Sequence, residues 1–178
     1  LQTRSGQMLH TLVNLKHGVF VFGSNDNGNT WFVNENAVKP ADESIITELS
    51  DGRLMINSRV NGAGKRYVHI SADNGKTWES AREEQLTDPS CNAGLISLKY
   101  RSKNYLIFSN ANSRNKRENL TIRISDDDGK TWSAGFPIYS GGSAYSALTI
   151  TKDGNLGILF EKDDYTKNEF VSVPLKKL

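Results

Sequence analysis

The sequence predicts an all-β fold, a β-propeller of four-stranded antiparallel blades. Three observations carry that expectation. The octet Ser-x-Asp-x-Gly-x-Thr-Trp occurs three times, at Ser24–Trp31, Ser71–Trp78 and Ser125–Trp132, and it holds all three tryptophans of the chain. The octets start 47 and 54 residues apart, and a unit of about 50 residues built from short strands has the length of one propeller blade. No long stretch between them shows helical periodicity; residues 80–88 have room for one helical turn at most.

Each octet reads as a turn. The Asp carboxylate can accept backbone N–H groups two residues on, and the Gly supplies a positive φ. An extended stretch precedes each box: Val19–Phe22, Tyr67–Ile70 and Leu120–Ile124. Thr and Trp are expected to begin the following strand, where β-branched and aromatic residues pack well. The turn uses the box aspartates, so they are read as structural and not as metal ligands. Between the boxes, Ser44–Leu49 and Leu54–Asn57 supply further strands of one blade, and Leu95–Tyr100 and Tyr105–Phe108 those of the next. A last hairpin pairs Ala147–Thr151 with Leu156–Phe160.

The chain has 178 residues, enough for one domain with a sizeable core. As a propeller it is short, about three and a half blades where closed propellers have four to eight. It begins at Leu1 within the pattern. The expectation is that residues 1–178 are the C-terminal portion of a single propeller whose N-terminal blades come from another segment, since an open propeller leaves strand edges unpaired. Lys plus Arg is 22 and Asp plus Glu is 20. This near-balance, with no basic stripe interleaved with aromatics, argues against nucleic acid as a partner. No run is apolar enough for a membrane span. Cys91 is alone, which excludes an internal disulfide or a thiolate metal cluster, and reads as a buried small residue. His69 beside the second box reads as a packing residue. Asn119-Leu-Thr121 matches a glycosylation sequon at a strand start.

Two hairpins carry the candidate chemistry. Asp51-Gly52 and Asp153-Gly154 are two-residue turn signals. Counting outward, the first turn sets Glu43 opposite Arg59 or Val60, and the second sets Tyr145 opposite Glu161 or Lys162. Both pairs lie roughly 23 Å from their tips. Successive blades aim equivalent ends at one face, so the two pairs are expected near a common axis. Taken singly, Glu43 with Arg59 also fits a solvated ion pair, Tyr145 an ordinary strand aromatic, and Glu161 a strand end.

Three boxes with these hairpins resemble the Asp-box sialidases, or neuraminidases, of bacteria. The segment from Asp42-Glu43-Ser44 through Asn57-Ser-Arg59 is similar to the one that holds their catalytic Glu and second arginine. Asn112-Ser-Arg-Asn-Lys-Arg117 resembles the segment of the third arginine, Ser143-Ala-Tyr145-Ser-Ala-Leu148 that of the nucleophilic tyrosine, and Leu159-Phe-Glu161 the acidic residue that steadies the first arginine. The resemblance covers nearly the whole chain in order. It implies a six-bladed exo-α-sialidase that removes terminal sialic acids from glycans and glycoproteins with retention, needs no cofactor or metal, and is secreted or periplasmic. Tyr145 and Glu43 are then the catalytic pair, Arg59 and Arg117 the carboxylate-binding groups, and Glu161 a support. Arg66 rivals Arg59, and Arg114 and Arg123 rival Arg117. The family's first arginine, in a Phe/Tyr-Arg-Ile-Pro motif, and its acid/base Asp are absent from the sequence, so the chain alone is expected to be inactive. A non-catalytic box propeller and a trans-sialidase are the alternatives.

Overall fold

The computed structural model describes residues 1–177; Leu178, the last residue of the predicted domain span, lies outside the described residues. Among the described residues thirteen strands form three antiparallel sheets, in each of which a strand pairs with its neighbours in sequence. β1 (Met8–Asn14), β2 (Gly18–Ser24) and β3 (Phe32–Val33) make the first. β4 (Ser44–Glu48), β5 (Leu54–Ser58), β6 (Lys65–Ser71) and β7 (Glu79–Thr87) make the second. β8 (Gly94–Tyr100), β9 (Lys103–Ala111), β10 (Glu118–Ser125), β11 (Phe136–Ile150), β12 (Asn155–Lys162) and β13 (Lys167–Pro174) make the third. The sole helical element among the described residues is one 3₁₀ turn, Leu175–Lys177. The three extended stretches expected before the boxes lie within β2, β6 and β10.

The expected four strands are met by hydrogen-bond order in the second sheet only. The third is continuous because the 15-residue β11 serves two partners. Its first part pairs with β10 and its last with β12, with register irregularities at Glu118–Thr121 and Ser143–Ser146. Such bulges bend a strand. The bend folds the sheet on itself, so that Ile107, Leu120 and Ile122 of β9 and β10 share one core with Leu156, Ile158 and Phe160 of β12. The same face-to-face packing joins the other sheets. Leu9, Val19 and Val21 meet Ile46, Leu54 and Ile56; Leu49, Met55 and Leu86 meet Leu95, Leu106 and Phe108. Phe108 and Ile56 are fully buried, and each such side chain contributes about 1.5–3 kcal/mol.

The box turns are tighter than the sequence suggests. In the first, Asp26 accepts from the Thr30 N–H at 2.8 Å and the Thr30 hydroxyl at 2.6 Å, four residues on and not two, while the Ser24 hydroxyl donates to it at 2.7 Å. Asp73 and Asp127 repeat the pattern. Hydrogen bonds from Thr and Ser hold all three carboxyls down at about 2. Thr and Trp therefore belong to the turn and do not begin the next strand; the indole N–H of Trp31 and of Trp78 closes onto the box glycine carbonyl at 3.1 Å. The boxes also tie sheets together. Asn34 donates to the Gly75 carbonyl, Gln85 to that of Lys130, and Asp128 accepts from the Ser50 N–H at 2.9 Å.

Residues 80–88, where one helical turn was allowed, are strand up to Thr87. Pairing of Tyr67 with Arg82 and His69 with Ser80 takes up the backbone groups a helix would have used. The Asn119 sequon is engaged within the fold, with the Asn119 amide donating to the Asn112 carbonyl at 3.3 Å and Thr121 buried. His69 is buried against the Ser80 hydroxyl at 2.7 Å. Burial, only partly opposed by the Pro40 backbone, pushes its imidazole down to about 4. Cys91 is buried, and burial pushes its thiol up to about 11.

Candidate active site

The two hairpin tips decide the register of the site. Both loops contain three residues, not two: the Leu49 N–H donates to the Arg53 carbonyl, and the Thr151 N–H to that of Asn155. Gly52 and Gly154 take φ of 92° and 77° at the third loop position, the place where a three-residue hairpin needs a left-handed residue. The first register sets Glu43 opposite Arg59 and not Val60, with the Arg59 N–H donating to the Glu43 carbonyl at 3.0 Å. In the second, Ser146 faces Phe160, which brings Glu161 beside Tyr145; the Glu161 carboxylate accepts from the Tyr145 N–H at 3.1 Å.

The side chains of the two hairpins meet. The Tyr145 hydroxyl lies 2.6 and 2.7 Å from the two carboxylate oxygens of Glu43. Arg59 Nη1 donates to Glu43 at 2.5 Å and to the Tyr145 hydroxyl at 3.3 Å. Arg59 Nε donates to Asn61 at 2.9 Å, and Asn61 in turn donates to Asp42. This holds the guanidinium plane while Nη2 makes no hydrogen bond among the described residues. Arg117 arrives from the other side. The Ser143 N–H donates to its carbonyl at 2.8 Å, and its guanidinium sits 5.5 Å from the Tyr145 ring centroid. Tyr145, Glu43, Arg59 and Arg117 are thus brought together, with Glu161 behind the tyrosine backbone. Burial, reinforced by the hydrogen bond and negative charge of Glu43 and opposed by both arginines, pushes the phenol of Tyr145 up to about 12.

The rival arginines are engaged elsewhere. Arg66 is fully buried and pairs with Asp88. Arg123 is held by the Asn112 side chain, and Arg114 lies against Gly64. A cleft of about 370 Å³ reaches Glu43, lined also by His10, Thr11, Ser44 and Asn92. A larger one of about 590 Å³ lies by the third box, among Leu98, Tyr105, Trp132 and Phe136, and includes none of the predicted site residues; the converging charged groups, and not cavity size, mark the site. Among the described residues no cluster of His, Cys, Asp and Glu suits a metal ion, and no helix is long and apolar enough to cross a membrane.

Sequence reasoning missed two neighbours of Arg117. Its Nη1 donates to the Tyr165 hydroxyl at 2.6 Å and its Nη2 to the Ser90 carbonyl at 3.1 Å. Tyr165 ends a turn in which Asp163, Asp164 and Tyr165 all have positive φ. A run of polar residues between two strands signals a turn, but nothing in it signals a contact 48 residues away.

Residues 1–158 match the family described as the BNR repeat-like domain. The chain belongs to this family. Its homologues are sialidases: it is 39% identical over 147 residues to a sialidase of Micromonospora viridifaciens, covering 78% of this chain and 23% of that protein. It is 37% identical over 165 residues to a sialidase of Bacteroides fragilis, covering 87% of this chain and 30% of the relative. The solved structure of the Hadza microbial sialidase Hz136 superposes with a TM-score of 0.89 at 29% identity, over 99% of this chain and 37% of that one. This BNR-repeat chain therefore spans between 23% and 37% of the length of these three proteins.

Proposed function

We propose that this chain is the C-terminal part of a six-bladed sialidase propeller and supplies the nucleophile, its base and two carboxylate-binding arginines for hydrolysis of terminal α-linked sialic acids. The phenol of Tyr145 within 2.7 Å of both Glu43 oxygens, with two guanidinium groups beside it, carries this reading. Sialic acid bears a carboxylate on its anomeric carbon. A planar guanidinium matches that group with charge-assisted hydrogen bonds. A carboxylate nucleophile would meet like charge there, whereas a neutral phenol does not, and tyrosine is the nucleophile known for sialidases.

A phenol held at about 12 is not ionised in advance near neutral pH. Its proton passes to Glu43 as the Tyr145 oxygen bonds to the anomeric carbon and the glycosidic C–O bond breaks. The leaving oxygen takes its proton from an acid outside this chain. Water then attacks the anomeric carbon as its bond to the Tyr145 oxygen breaks; Glu43 returns the proton to the phenol, the water's proton passes to the same group outside this chain, now acting as base, and two inversions give retention. Glu161 keeps the Tyr145 strand in register. The remaining blades would supply the first arginine, the acid/base group and most of the acetamido pocket. In this reading the parent protein is secreted or periplasmic, acts on sialylated glycans, and residues 1–178 alone are inactive.

The test is a Tyr145→Phe variant of the complete protein. It should lose nearly all turnover of a fluorogenic sialoside yet still bind sialic acid, and 2,3-difluorosialic acid, which loses its C2 fluoride on attack, should label the Tyr145 peptide of the wild type. Full activity in the phenylalanine variant, or label on another residue, refutes the assignment. A non-catalytic box propeller has no use for a phenol and a carboxylate so placed. Product analysis with and without a glycan acceptor separates hydrolysis from transfer.

A further inference from the structure

A buried polar cluster lies beneath the site, and none of its members takes part in the chemistry above. Arg66, Asn57 and Asn110 are wholly buried and Asp88 is 1% exposed. Arg66 donates through Nε to the Asn57 side chain at 2.7 Å and through Nη1 to the Cys91 carbonyl at 2.6 Å and to Asp88 at 3.3 Å. The Asp88 carboxylate also accepts from the N–H groups of Ser90 at 2.9 Å and Cys91 at 3.0 Å and from the Asn110 amide at 3.2 Å. A buried charge pair of this kind adds little net stability, but its hydrogen bonds converge on a single stretch of backbone. Here it fixes one turn, Asp88–Cys91, whose Ser90 is held at φ 66°.

Ser90 reaches Arg117 directly and Arg59 through the loop that follows it. Its carbonyl accepts from Arg117 Nη2 at 3.1 Å. Its hydroxyl accepts from the Gly62 N–H at 2.8 Å and faces the Val60 carbonyl at 3.4 Å, gripping the loop that follows Arg59. The two arginines come from different sheets, Arg59 beside β5 and Arg117 beside β10, and no hydrogen bond joins them directly. We propose that the Asp88–Cys91 turn is a positioning clamp, with Ser90 as the joint that sets the spacing of the Arg59 and Arg117 guanidinium groups. The clamp rests on the reading of these arginines as the groups that hold the substrate carboxylate.

Ser90→Gly in the complete protein tests it. Glycine accepts the positive φ without strain, leaves the buried pair and the carbonyl contact in place, and deletes the grip on the Arg59 loop. Two inhibitors are compared: 2,3-didehydro-sialic acid with its free C1 carboxylate, and the same compound as the C1 amide. The wild type should prefer the carboxylate, and Ser90→Gly should narrow that preference about five- to tenfold, the effect of losing one aligned hydrogen bond. KM should rise with kcat little changed and thermal stability unchanged. Asp88→Asn should narrow the preference further and lower the melting temperature as well. A preference unmoved in Ser90→Gly, or equal weakening of both inhibitors, overturns the clamp and leaves the sialidase reading standing. A wild type that binds both inhibitors equally refutes the carboxylate role of the arginines, and the clamp with it.

Discussion

Replacing Glu43 by Gln separates the two jobs assigned to that residue. The substitution keeps the shape, and the amide can still bond to Tyr145, but the negative charge is gone. The phenol stands at about 12 against its ordinary 10 because of burial first and then of Glu43, through both its hydrogen bond and its charge. Both arginines work in the opposite direction. Removing the Glu43 charge therefore leaves burial to face two cations, and the Tyr145 titration should fall from about 12 back toward its ordinary value. Absorbance titration near 295 nm, read as the difference between Glu43→Gln and Glu43→Gln/Tyr145→Phe, isolates that tyrosine. The rate must move the other way. With no base 2.6 Å from the phenol, general-base assistance is lost, which is about 10²–10⁴-fold in kcat or about 3–5 kcal/mol of barrier. A more acidic phenol that is nonetheless a slower catalyst is an unusual pair of outcomes. A kcat within threefold of the wild type would refute Glu43 as base; an unmoved titration would refute the account of why the phenol is raised.

Tyr165→Phe should raise KM about three- to tenfold with little effect on stability, because Tyr165 is exposed and steadies Arg117 through a 2.6 Å bond; a fall in KM would mean instead that the phenol competes with substrate for Nη1. Buried His69 titrates near 4 in the folded chain against 6.5 ordinarily, so the unfolded state binds more protons between those values. Its contribution is full above about pH 6.5, declines as pH falls and levels off below about 4, a loss of about 3 kcal/mol; urea unfolding across this window should show the slope in the wild type and not in His69→Gln, and equal slopes would refute it. Gly94→Ala should destabilise by about 1–3 kcal/mol, since a Cβ there would lie 2.5 Å from the Ser109 hydroxyl and 2.9 Å from Leu148; an unchanged unfolding midpoint would show that the β8–β11 contact has slack.

What the sequence disclosed and what it hid divide along the range of the interactions. The box octets are local: Ser, Asp, Gly and Thr satisfy one another within a few residues, so their spacing alone marks the turns and, by repetition, the architecture. The hairpins are nearly local. Asp-Gly signals locate both tips, but a two- and a three-residue loop read alike, which left Arg59 or Val60 open until the Leu49–Arg53 pairing selected Arg59. The joins between repeats are not local. That β11 would run unbroken through Gly141-Gly142 and join two expected blades in one sheet depends on bulges opposite β10 and β12, and Gly-Gly by itself reads as a break. Least legible is the ground beneath the site. Arg66 looked like a candidate substrate ligand because an arginine after a Gly-rich loop carries no sign of whether it faces solvent or core. Only the arrival of Asp88 from 22 residues away and the Cys91 carbonyl from 25 away makes its burial tolerable. An isolated buried guanidinium would be prohibitively costly, so the pairing had to exist, but its partner could be any carboxylate the fold delivered. The pairing of side chains at hairpin ends, Glu43 with Arg59 and Tyr145 with Glu161, can thus be inferred from turn chemistry, whereas the groups that aim them are chosen by tertiary packing.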